Sequence, residues 1–134
     1  MANLLYPKWK EGLIQGSTNT SLAGTLKVAL VDTGTYTYSA AHQFYSSVTG
    51  VAGTPVTLAS KTYVNGVLDA ADATFTAVSN GSVTVEAIVL YIDTGSAATS
   101  PLVGYFDTGI TNMPVTPNGG DISITWNGSG IFAL

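Results

Sequence analysis

Charge is what this sequence has least of. Only 9% of its residues are charged, against roughly 25% in an average soluble protein. Arginine is absent, and the basic residues are Lys8, Lys10, Lys27 and Lys61. Binding to a phosphate backbone depends on clustered basic side chains, so a chain of net charge −4 is not expected to have nucleic acid as a partner. Cysteine is absent as well, which excludes a disulfide framework and thiolate chemistry. The lone histidine is His42. Zinc sites draw mainly on His and Cys, so neither a metal nor a cofactor is expected. Long apolar runs are also missing. No stretch approaches the ~20 residues of a membrane span, so no membrane partner is expected despite a mean hydropathy of +0.33. Met1 to Tyr6 is too short for the apolar region of a secretory leader, and the first lysines follow it instead of preceding it, so no leader is expected either.

What is present is the material of strands and turns. Thr and Val are abundant and Gly reaches 15. Branched side chains fit a pleated surface, and Gly supplies the positive φ of tight turns. The length of 134 residues suits one domain with a core of ordinary size. Residues 1–24 read as an extended N-terminal arm, because Leu4 to Lys10 shows no clean period and Gly12, Gly16 and Ser17 to Ser21 read as loop. Residues 25–134 then form a single β-sandwich domain, jelly-roll-like or a small barrel, with at most one short helix. The best helix candidate is Ser39 to Val48, where Ser39 is placed to cap and Ala40, Ala41, Phe44 and Val48 share one side.

Strands are expected at Leu26–Asp32, around Val56 to Val64, at Thr74–Val78, Ser82–Asp93, Leu102–Asp107, Asp121–Trp126 and Ile131–Leu134. Asn65-Gly66 and Asn80-Gly81 read as hairpin turns, and the last two strands are expected to pair across Asn127-Gly128. Within Ser82–Asp93 the first half alternates in polarity, while Ile88 to Ile92 is apolar on both faces. That change marks a strand passing from a solvated region into one covered on both sides. Seven or eight short strands at intervals of about ten residues indicate an antiparallel sandwich or small barrel.

An apolar-Asp-Thr-Gly motif occurs three times, at Asp32-Thr33-Gly34, Asp93-Thr94-Gly95 and Asp107-Thr108-Gly109. Aspartic proteases carry such a loop, where two carboxylates share a proton and activate water. A dyad needs two copies, not three, and the apolar-apolar-Gly segment that supports the protease loop is not recognisable downstream. The Asp side chains are instead expected to accept bonds from backbone N–H groups two residues on, closing turns at strand ends. His42 is the only possible centre for a Ser-His-Asp arrangement, and no Gly-x-Ser-x-Gly accompanies it. It is expected on the short helix near Tyr45. Asp69 and Asp72 alone are too few for calcium, which takes six or more oxygens from a loop that wraps. No catalytic residue and no enzymatic activity is expected.

The candidate contact site is the cluster Leu5, Tyr6, Lys8, Trp9 and Lys10. Aromatic side chains bury large area at low entropic cost and concentrate at contacts. The other reading of this cluster is that the segment folds back on its own sheet and Trp9 fills a core edge.

Several segments together resemble a group of small tailed-phage virion proteins. They are Leu5-Tyr6-Pro7-Lys8-Trp9-Lys10, Val28 to Tyr36, Ala40-Ala41-His42, and Pro117 to Ile122 ahead of Trp126. The resemblance is spread over most of the chain and consists of strand and turn residues. It implies a virion component, most like a capsid cement or decoration protein on the capsid surface, made in the host cytoplasm. Such proteins form trimers or dimers and bridge neighbouring copies of the major capsid protein. The alternative within the same group is a tail or fibre module that binds a receptor.

Overall fold

The computed structural model describes residues 3–79 and 83–134. It is built mostly of short antiparallel strands with one α-helix. In chain order these are β1 (Leu4–Leu5), α1 (Pro7–Gln15), β2 (Leu26–Val31), β3 (Val51–Thr57), β4 (Val67–Leu68), β5 (Ala73–Phe75), β6 (Ala87–Ile92), β7 (Leu102–Phe106), β8 (Ile122–Ile124) and β9 (Phe132–Ala133). Among the described residues no helix is long and apolar enough to cross a membrane.

Five strands form the main sheet in the order β1-β7-β6-β2-β3, every neighbour antiparallel. Its middle is the doubly apolar segment foreseen in the sequence. All six residues of β6 and all five of β7 are buried, and each large aliphatic side chain so buried contributes about 1.5–3 kcal/mol. The outer edge at β3 is irregular. Val28 faces Val56 and Leu30 faces Ala52, so three residues of β3 stand against one of β2. Gly53 makes this possible with a φ of +67°, and Pro55 follows it. A bulge and a proline are what deter an edge strand from pairing with another chain.

Two smaller ladders complete the fold, β4 with β9 and β5 with β8. This differs from the expected C-terminal hairpin. The turn at Asn127 does form, with Gly130 N–H donating to the Asn127 carbonyl, but Ile131 N–H then bonds Leu68 O and carries the chain onto β4. On the other side Trp126 is drawn toward the Ala71–Asp72 segment: its N–H donates to the Asp72 carboxylate at 3.1 Å and its indole N–H to Ala71 O at 3.1 Å. The strands diverge because each finds an earlier partner.

The Asn65-Gly66 turn is realised. Both residues have positive φ, at 55° and 75°, the pattern of a type I′ turn, and Thr62 pairs with Asp69 beyond it. The Asn80-Gly81 turn lies outside the described residues.

The helix is not where the sequence placed it. Ser39 to Val48 contains turns and a single 3-10 turn at Tyr45–Ser47. Phe44 instead pairs with Pro101, and Leu102 N–H donates to Gln43 O. A helix of ten residues is marginal in water, and extended pairing to β7 wins. The α-helix is Pro7–Gln15, inside the segment read as an arm. Pro7 sits at its first turn and Gly16 ends it with a φ of 70°, donating its N–H back to the last turn, the start and stop pattern of a helix.

Candidate partner-binding site

The N-terminal cluster is pulled apart by this geometry. β1 lies along β7, with Leu4 opposite Tyr105 and Leu5 opposite Gly104. Tyr6 N–H donates to Val103 O at 2.9 Å. Tyr6 and Trp9 are then turned inward, at 0% and 1% exposure. The Trp9 indole donates to Thr20 O at 2.9 Å and its ring meets Phe132 edge-on at 5.9 Å. The expected free arm is therefore a strand and helix packed on the chain's own sheet, and Tyr6 and Trp9 are core residues without surface to offer a partner. The reason is that Tyr6, still extended, continues the pairing of β1 onto β7, and the helix that starts at Pro7 turns Trp9 inward, the buried residue of α1. Leu5 is half-buried. Lys8 is half-buried and ion-paired to Glu11 at 3.1 Å, and Lys10 is exposed.

The Asp-Thr-Gly turns separate in space. β2 and β7 both run antiparallel to β6, so Asp32 and Asp107 leave the sheet at one end and Asp93 at the other. Two copies close as expected: Asp32 accepts from Gly34 N–H at 2.8 Å, and Asp93 from Gly95 N–H at 2.9 Å. The third is built otherwise. Asn3 Oδ1 accepts the N–H groups of Asp107 and Thr108 at 2.9 and 3.0 Å, and Asn3 Nδ2 donates to Thr108 O, so the residue ahead of β1 supplies the cap. The sequence carried no signal for this bond across the chain. Asp93 also pairs with Lys27 at 2.9 Å. Its carboxyl is held below the usual range by that lysine's hydrogen bond and then by the Gly95 N–H.

His42 follows a turn closed by its N–H on Ser39 O, not a helix. Its Nδ1 lies 2.9 Å from the Tyr36 hydroxyl, which lies 2.7 Å from the Tyr6 hydroxyl. Burial and then the Tyr36 hydroxyl push the Tyr6 phenol far above its ordinary value. The Tyr36 hydroxyl is thus shared between the Tyr6 hydroxyl and the His42 ring, which gives the buried hydroxyls their partners. The Asp69 and Asp72 carboxylates accept backbone N–H groups of Ala70 and Trp126. No group of three potential metal ligands occurs among the described residues.

Two surface features of the described residues bear on partner binding. One is apolar: Leu13, Leu22, Ala23, Tyr63 and Leu134 line an open depression of about 380 Å³, with Trp9 buried beneath it. Ile14 and Val64, next to it in sequence, are 87% and 69% exposed. The other lies at the acidic end of the main sheet, where Thr33, Tyr36, Thr37, Tyr38, Glu86, Tyr105 and Asp107 line a cavity of about 310 Å³. Sequence reasoning missed both, since each is assembled from residues far apart in the chain.

No known family profile matches the sequence, and no curated protein is significantly similar to it.

Proposed function

We propose that the strands pack as a closed sandwich and that the chain is a non-enzymatic structural component of a tailed-phage virion, a cement protein that bridges major capsid protein subunits as a trimer or dimer. The observation that carries this reading is the apolar depression between α1 and the Tyr63–Leu134 margin. An apolar depression with Tyr63 and Leu134 exposed in its wall is the kind of surface that another surface covers. The residues that resemble phage virion proteins support the same reading, and so does the use of Asp32 and Asp93 as turn-formers. Function in this reading is linkage. A protein that binds only the assembled shell stabilises it by mass action, and repeated sites on the lattice multiply weak contacts.

Copy number in purified particles tests the proposal. A cement protein is expected in hundreds of copies, a tail or fibre module in a few to dozens. Absence from particles overturns both.

A further inference from the structure

Three Asn-Gly pairs lie among the described residues, Asn65-Gly66, Asn118-Gly119 and Asn127-Gly128, and all are exposed. A glycine after asparagine leaves its backbone nitrogen open to the side-chain amide, so by sequence the three rank together. Their hydrogen bonds separate them. The Asn118 amide oxygen accepts Gly120 N–H at 3.0 Å, and Gly119 N–H donates to Val78 O at 2.7 Å. The Asn127 amide oxygen accepts Ser129 N–H at 2.8 Å. The Asn65 side chain has no hydrogen bond among the described residues. Gly66 N–H reaches Tyr63 O at 3.3 Å, beyond the usual range of such bonds.

Backbone conformation separates them further. Of the three asparagines, Asn65 is the one with a positive φ, 55°. Its ψ of 33° belongs to the type I′ turn and holds Gly66 N away from the Asn65 side chain. Turning over the peptide unit between Asn65 and Gly66 gives a type II′ turn, which keeps this φ and moves ψ to about −120°. That ψ eclipses Asn65 Cβ with Gly66 N, the alignment that closure of a succinimide ring requires. The flip reverses the sign of the Gly66 φ, now 75°, which glycine accepts at little cost. It breaks the 3.3 Å bond to Tyr63 O, while the Val67 N–H bond to Val64 O that closes the turn is kept.

We propose that Asn65 is the site at which this protein ages by deamidation, and that the isoaspartate formed there disables the apolar depression. Hydroxide takes the Gly66 N–H proton and the nitrogen attacks Asn65 Cγ. The N–Cγ bond forms, the Cγ–Nδ2 bond breaks, and ammonia leaves with a proton from water, which restores the hydroxide. One water then opens the succinimide. Attack at the Asn65 backbone carbonyl carbon gives isoaspartate, and attack at Cγ gives aspartate. In isoaspartate the main chain runs through Cβ and is one carbon longer, and a new carboxylate stands in the turn. Leu134 N–H is bonded to Gly66 O at 3.0 Å, and the Tyr63 hydroxyl donates to Leu22 O at 3.1 Å. Both exposed walls of the depression therefore hang on this turn. The consequence for binding rests on the reading that the depression meets a partner; the chemistry does not.

The test incubates the full chain at mildly alkaline and mildly acidic pH, folded and in urea. Each Asn-Gly peptide is followed by mass spectrometry with fragmentation that distinguishes isoaspartate from aspartate. In the folded protein Asn65 is expected to convert about tenfold faster than Asn118 and Asn127, the rate equivalent of one further hydrogen bond to break. Conversion is expected to be faster in alkali, with isoaspartate the main product, and the three sites are expected to converge in urea. Folded rates that rank Asn65 level with or below the other two overturn the site. Asn65→Gly keeps the positive φ and removes the reacting amide, so the aged variant is the control for the aged wild type. Displaced amide NMR signals at Leu22 and Leu134, and weaker co-sedimentation with particles, are expected in the aged wild type alone. Signals at Leu22 and Leu134 that stay in place once isoaspartate has formed overturn the effect on the depression. No particle binding by fresh wild-type protein sinks the cement reading instead, and the mass and NMR spectra still decide this inference.

Discussion

The two ends of the chain are built alike and packed differently. Each contributes short strands that reach back to pair with strands distant in sequence, β1 onto β7, and β8 and β9 onto β5 and β4. The N-terminal segment inserts Tyr6 and Trp9 into the core with essentially no exposure, whereas in β9 Phe132 is half-buried and Ala133 exposed. Pairing onto a sheet is therefore not what makes a terminal segment indispensable. The volume it places inside is.

The strongest way to break this comparison is to delete residues 1–16. The deletion removes β1, α1, two of the largest buried side chains and the Asn3 cap together. Loss of the cooperative unfolding transition by near-ultraviolet circular dichroism is expected. A truncated protein with an unchanged melting temperature would return the segment to the status of an arm. Next in size, Ile124→Ala in β8 empties a fully buried site, and about 2–5 kcal/mol of stability is expected to go in denaturant unfolding.

Phe132→Ala sharpens the contrast at the other margin. The ring touches Trp9 edge-on and stacks near Phe106 at 6.3 Å, yet remains part-exposed. A loss of about 1–2 kcal/mol is expected, below that of a wholly buried aromatic. The smallest effect belongs to Asp93→Asn. Asp93 has its pKa lowered by Lys27 and the Gly95 N–H, so the wild-type carboxylate stabilises the fold above its unfolded pKa of about 4 and loses that contribution as pH falls through the lower folded value. The pair is partly exposed and is worth under about 1 kcal/mol. Wild type and variant are expected to differ at pH 7 and converge near pH 2 in melting curves.

Local sequence determined the strands with clean patterns and the turns with strong chemistry. Leu26–Val31, Leu102–Phe106, the buried run Ile88–Ile92 and the Asn65-Gly66 turn lie where polarity and turn residues place them. Asp32 and Asp93 close their turns through their own side chains, so no distant residue was needed to foresee them. Helix α1 was legible only in part. Pro7 and Gly16 mark its ends, but Gly12 and the absence of a side-chain cap hide it, and its inner face is defined by what Trp9 buries against. Tertiary structure alone decided the partners of β8 and β9, the Asn3 cap on Asp107, the apolar depression and the tyrosine-lined acidic cavity. Each depends on contacts between residues far apart in the chain, and the energy of such contacts is set by the volume and hydrogen bonds available once the main sheet has formed, which no local period encodes.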